Sequence, residues 1–151
     1  MPREIRYVVR LAGTGLDGTK KVPYALKGIK GVGIRLGHAI VKAAGIDPEA
    51  RLGELSDGEL RKIEEVLSDP LGHGIPTWLL NRRRDPQTGR DLLLIGPDLD
   101  LRVKADIELM KEIRNWKGVR HAQGLKVRGQ RTRTTGRTGK AVGVSRRRRG
   151  R

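Results

Sequence analysis

The sequence predicts a mainly α fold: a small helical domain interrupted by a β-hairpin insertion and followed by a long, basic, extended C-terminal tail. Three observations carry this reading. Apolar residues recur at helical spacing in several separate segments as far as Trp116. Of 151 residues, 36% are hydrophobic and only 3% aromatic with no Phe, so the core is small and built from Leu, Ile, Val and Ala. The third observation is where the formal net charge of +16 sits: 13 Lys or Arg and no Asp or Glu lie between Lys117 and Arg151, whereas residues 1–116 hold 20 basic against 17 acidic groups. The globular domain is therefore assigned to residues 1–117 and the tail to 118–151.

The elements follow in order. Ile5 to Leu11 alternate weakly and end at Gly13-Thr14-Gly15, an extended arm or short strand leading into a loop. Pro23 opens a helix of one to two turns through Ile29; after Gly31-Val32-Gly33, helical spacing resumes from Ile34 to Ala44 and stops at Gly45. Ser56 stands three residues before Glu59, a capping box, with Leu55 and Leu60 at the flanking apolar positions, so a helix starts at Asp57 and runs to Leu67. Two apolar runs around Asp85-Pro86-Gln87-Thr88-Gly89 predict a β-hairpin over 77–95. A last helix is expected from Leu99 to Trp116, with Val103, Ile107, Met110, Ile113 and Trp116 on one stripe and Gly118 as its stop. Beyond Gly118 periodicity vanishes, and so basic a segment cannot bury enough apolar surface to order itself alone.

Composition excludes several classes. Without Cys there is no disulfide framework, thiol nucleophile or thiolate metal site. No stretch of about eighteen apolar residues exists for a membrane span, and no apolar signal stretch follows Met1, so a cytoplasmic location is expected. His38, His73 and His121 lack metal-ligand spacing, and Glu64-Glu65 and Asp98 with Asp100 read as helix-surface and helix N-terminal charge rather than an acid/base pair. No cofactor, metal or catalytic residue is expected.

What remains points to a polyanion. Gly31 and Gly33 between two helices leave backbone N–H groups at a helix start, where the dipole favours phosphate, and Lys27, Lys30 and Arg35 flank them; a plain helix–helix turn would use the same glycines. In the tail, Arg120, His121, Arg128, Gln130, Arg131, Arg133, Arg137 and Lys140 alternate with Gly and Thr, a pattern that follows a bending phosphate backbone, because Arg forks onto phosphate oxygens while Gly lets the chain turn. Arg82, Arg83 and Arg84 with Arg90 form a third cluster, which either meets a partner or is self-paired with Asp85 and Asp91. Trp78 and Trp116 can stack on bases, but Trp116 at helical spacing with Ile113 and Leu109 reads more simply as core.

The run Val119-Arg120-His121, Gly124-Leu125, Val127-Arg128-Gly129-Gln130, Thr132 and Thr134-Thr135-Gly136-Arg137 closely resembles the tail signature of the universal small-subunit ribosomal protein S-thirteen family. Arg10-Leu11-Ala12-Gly13, the block from Ala25-Leu26 to Gly31-Val32-Gly33, and Trp78-Leu79-Leu80-Asn81-Arg82 match the same family in order. Val142-Gly143-Val144-Ser145 and the 77–95 segment resemble its archaeal and eukaryotic branch. Arg131 stands where that branch would carry His, and Thr138 rather than Arg precedes Gly139; both departures keep the phosphate-binding character.

The resemblance implies a helix-two-turns-helix module, a place in the head of the small subunit, and a tail threaded into rRNA. It implies two protein neighbours, small-subunit protein S-nineteen and, across an inter-subunit bridge, large-subunit protein L-five, and contact with peptidyl-site tRNA through Arg146, Arg147, Arg148 and Arg149. On this expectation the chain is non-catalytic and ribosome-bound. Two rivals come from other classes. DNA glycosylases with the same module use an N-terminal Pro followed by Glu, but here Pro2 precedes Arg3 and no Cys can build their zinc finger. A sequence-independent DNA-binding chromatin or compaction protein is permitted by the tail alone.

Overall fold

A computed structural model describes residues 5–136 and divides the chain into two compact units between Arg102 and Val103. In the first unit the amino-terminal arm is half of an antiparallel pair, β1 (Val8–Leu11) with β2 (Thr14–Asp17), in which Leu11 faces Thr14 and Val8 faces Asp17. Ala12 and Gly13 both take positive φ, 46° and 73°, the two-residue geometry that suits strand twist. Period-two alternation then buries Val9, Leu11 and Leu16 and leaves Val8 in solvent.

α1 (Val22–Leu26) starts with Pro23 in its first turn. Two tight turns follow: the N–H groups of Gly28 and Ile29 donate to Ala25 O and Leu26 O at 2.9 and 3.0 Å, and Val32 N donates to Ile29 O at 3.1 Å. α2 (Ile34–Ala43) begins directly afterwards, completing a helix, two turns and a helix. A 3₁₀ turn at Leu52–Glu54 leads to α3 (Asp57–Ser68), whose start is the expected capping box: Glu59 N donates to Ser56 Oγ at 3.4 Å and Ser56 N donates to Glu59 Oε2 at 2.7 Å. Leu26, Ile29, Ile40, Leu52 and Ile63 are almost wholly removed from water and tie the module, the 3₁₀ turn and α3 into one core. Aliphatic side chains alone make that core, as the composition requires.

The segment 77–95 reverses direction as expected but does not form two strands. It opens with a 3₁₀ turn, Thr77–Leu79, and holds a single bridge between Arg82 and Leu92. Side chains replace the rest of the ladder. Asn81 Nδ2 donates to Leu94 O at 2.6 Å and Leu94 N donates back to Asn81 Oδ1 at 2.9 Å, while Arg84 N donates to Asp91 Oδ1 at 2.7 Å. Local Asn and Asp bonds thus outcompete β-pairing in apolar runs too short to be buried on a sheet face.

Asp85 organises this loop. It is 1% exposed, and its carboxylate accepts from Arg82 Nε at 2.9 Å, Arg102 Nη2 at 2.5 Å, and Thr88 N and Oγ1 at 3.1 and 2.9 Å. The Arg102 bond first, then those from Thr88 and Arg82, hold its carboxyl well below the usual carboxylate range despite burial, which pushes the other way.

The expected last helix is two helices. α4 (Gly96–Glu112) starts earlier and ends sooner, Arg114 turns the backbone at φ 55°, and α5 (Trp116–Ala122) begins afresh. Asn115 is the cap that restarts it, accepting from Gly118 N at 2.6 Å, so Gly118 lies inside α5 rather than ending α4. The second unit comprises the end of α4, α5 and, among the described residues, a segment from 123 to 136 without regular helix or strand.

Candidate nucleic-acid interface

The turn between α1 and α2 gives its two glycines different tasks. Gly31 takes φ 96°, and a Cβ there would overlap Leu94 O and crowd Asn81 Nδ2 at 3.1 Å and Ile95 Cα at 3.3 Å. Its missing side chain is thus explained inside the molecule, by the 77–95 loop lying against the turn. Gly33 is exposed, has φ −90°, and a Cβ there would meet nothing. It is the N-cap of α2 and supplies no capping side chain, and no acidic residue stands in the first turn. The N–H groups of that turn therefore face a position where an external anion is favoured.

The three cations around this turn also differ. Lys30 Nζ is 2.7 Å from Asp100 Oδ2, an exposed pair that contributes little and opens easily to a competing phosphate. Lys27 and Arg35 are exposed and have no ion pair among the described residues. Arg35 belongs to the first turn of α2 itself, so its charge adds to that of the helix start.

In the second unit Arg120 sits in α5 with its guanidinium carbon 5.6 Å from the centroid of the Trp116 ring, and its Nε donates to Lys126 O at 2.9 Å. His121 is partly buried in the same helix. Arg128 N donates to Gln130 Oε1 at 2.9 Å, and Arg128, Gln130, Arg131 and Arg133 are exposed. Gln130 therefore shapes the backbone here. Arg137, Lys140 and Arg146 to Arg149 lie outside the described residues.

The third basic cluster divides. Arg82 is committed to Asp85, whereas the exposed Arg83 and Arg84 side chains carry no ion pair among the described residues. Trp116 overturns the expectation of a core role: it is 72% exposed, with Ile113 and Leu109 exposed as well, and Trp78 is 62% exposed. The sequence signal for this was Asn115, a capping residue that interrupts the supposed stripe immediately before Trp116. The participation of Arg102 in the Asp85 cage was a second miss, since seventeen residues separate the partners.

Among the described residues no group of His, Asp and Glu could hold a metal ion, and no helix is long and apolar enough to cross a membrane. The geometry is that of a surface offering hydrogen-bond donors and cations. Residues 10–138 match the model of the family described as ribosomal protein S13/S18. The chain belongs to that ribosomal protein family.

Its relatives include the small ribosomal subunit protein uS13 of Staphylothermus marinus, 56% identical over 147 residues that cover 97% of each chain. That of Hyperthermus butylicus is 54% identical over 94% of each chain, and that of Saccharolobus solfataricus is 55% identical over 97% of this chain and 88% of its own. All three carry the same name, and the matches include the basic segment as well as the helical module. The resemblance to an archaeal branch seen in the sequence thus holds across nearly the whole chain.

Proposed function

We propose that this chain is a structural, non-catalytic RNA-binding component of the small ribosomal subunit, bound to rRNA in the subunit head. The observation that carries the proposal is the single-sign charge of the last 35 residues, 13 cations without one carboxylate, attached to a nearly balanced domain. Such a segment cannot neutralise itself and binds where phosphate density is high. The module adds a second contact in which Lys27, Lys30, Arg35 and the backbone at Gly33 receive a phosphate at the start of α2, in a turn that Gly31 shapes. Arg120, His121, Arg128, Gln130, Arg131, Arg133, Arg137 and Lys140 continue along the RNA backbone.

The remaining roles rest on family membership together with this charge pattern. Arg146 to Arg149 reach peptidyl-site tRNA, small-subunit protein S-nineteen is the protein neighbour, and large-subunit protein L-five meets the chain across an inter-subunit bridge. The protein works in the cytoplasm, on the ribosome. Recognition is largely of shape and backbone rather than base sequence.

The test is competition binding with the full chain and with a chain truncated after Gly124. Full-length protein should prefer a folded small-subunit rRNA fragment to duplex DNA of equal length and lose affinity steeply with salt. The truncated chain should keep its helical content and bind the same RNA far more weakly, with a shallower salt slope. Equal preference for duplex DNA would favour the compaction reading, and unchanged affinity after truncation would refute the role given to the tail.

A further inference from the structure

We propose that Trp116, backed by Arg120, is a stacking platform for an unpaired base of single-stranded RNA. The proposal rests on the RNA-binding reading above and adds to it a site that charge alone does not supply. A Trp left 72% exposed forgoes the largest burial gain any side chain offers, which marks it as available to a partner. Its backbone is nevertheless held in place. Asn115 caps the helix that Trp116 opens, at 2.6 Å from Gly118 N. Gly118 is buried so tightly against α4 that a Cβ would overlap Met110 O and meet Lys111 N at 2.8 Å. The indole is therefore presented from a fixed point of a two-helix body.

Arg120 completes the platform. One helical turn beyond Trp116, it places its guanidinium over the ring at 5.6 Å and is anchored by its bond to Lys126 O. Both groups stack on bases, and the arginine can still donate its remaining N–H groups to a phosphate. The charge nearby in the sequence fits the same ligand, since Arg114, Lys117 and Arg120 lie within four residues of Trp116 and no Asp or Glu follows Glu112. An apolar protein surface fits less well, because docking it on Trp116 and Ile113 would desolvate these cations without pairing them.

The site has an optical reporter. With Trp78→Phe, Trp116 is the one remaining tryptophan, and a stacked base quenches its fluorescence. A single-stranded RNA decamer should quench the full-length Trp78→Phe chain, whereas an abasic sugar-phosphate decamer and inorganic polyphosphate should bind at low salt without quenching it. Trp116→Ala should weaken decamer binding about 5- to 150-fold, while Trp116→Phe retains most of the affinity. Neither should change the slope of log affinity against log salt, because stacking releases no counterions. Circular dichroism on both variants separates lost stacking from lost helix.

Equal quenching by the abasic decamer, or unchanged affinity in Trp116→Ala, would overturn the platform while leaving RNA binding intact. Failure of the unsubstituted chain to bind the decamer at any salt would overturn the RNA-binding reading and the platform with it. Capture of a protein in place of RNA, with the decamer unable to compete, would also overturn it.

Discussion

Gly31 and Gly33 stand two residues apart in one turn, yet substitution should separate folding from binding. Gly31→Ala places an L side chain at φ 96° and drives its Cβ into Leu94 O and the Asn81 amide. Left-handed backbone costs about 1 to 2 kcal/mol for a residue with a Cβ, and overpacking at a well-filled site about 1 to 3 kcal/mol. The expected loss of stability is thus about 2 to 5 kcal/mol, which moves a urea midpoint down by roughly 1 to 2.5 M at a slope of about 2 kcal/mol per M. Gly33→Ala sits at φ −90° with open space around its Cβ. Its weaker capping and its lower unfolded-state entropy offset each other, leaving stability within about 1 kcal/mol. If a phosphate lies against this turn, the same methyl obstructs one or two charged hydrogen bonds and lowers rRNA affinity about tenfold. Urea unfolding followed by circular dichroism, with rRNA-fragment binding measured on the same samples, reads both quantities. A Gly31→Ala chain as stable as its parent would refute the packing argument. A Gly33→Ala chain with undiminished RNA affinity would refute phosphate binding at the α2 start.

Three further outcomes follow from the fold. Ser56→Ala removes one half of the capping box and should cost about 1 kcal/mol, read as a lower urea midpoint with unchanged RNA affinity. Ile40→Ala, at a site with no solvent exposure, should cost about 2 to 5 kcal/mol by opening a cavity, detectable in the same experiment. The Asp85 carboxyl has a folded-state value depressed mainly by Arg102, so its stabilising effect is complete above the ordinary carboxylate range near pH 4 and is lost as pH falls toward the depressed value. Asp85→Asn should therefore lower thermal stability at pH 7 and flatten the stability loss between about pH 5 and 2; an unchanged acid profile would show that the cage does not couple to folding.

Short-range chemistry was legible in the sequence. The Ser56–Glu59 box, Pro23 at a helix start and Gly45 at a helix end each act within four residues, and the helices begin and end where those signals stand. The excess of positive charge in the tail was legible too, because charge of one sign is a property of composition. What escaped depended on partners distant in sequence or on side chains substituting for backbone. β2 was missed because Ala12 adopts a positive φ that alanine seldom takes, concealing a two-residue turn. The 77–95 segment looked like paired strands because its apolar runs suit them, whereas Asn81 and Asp91 supply bonds a ladder would have made. Trp116 fell on a helical stripe only while Asn115 was read as helix interior.

The difference between Gly31 and Gly33 shows how structure refines such a reading. Both glycines suited an anion-binding turn, but only Gly33 leaves the space that a phosphate needs. Lys27, Arg35 and the first turn of α2 are therefore the part of the module with unspent capacity for a ligand, and the proposal has Lys30 join them by exchanging Asp100 for phosphate.

The most direct test of the central claim is crosslinking in intact cells, followed by sequencing of the nucleic acid attached to the full-length protein. The account predicts crosslinks concentrated in one region of small-subunit rRNA, with a minority on tRNA that disappear when the residues from 146 onward are removed. Crosslinks spread over genomic DNA, without enrichment in rRNA, would contradict it.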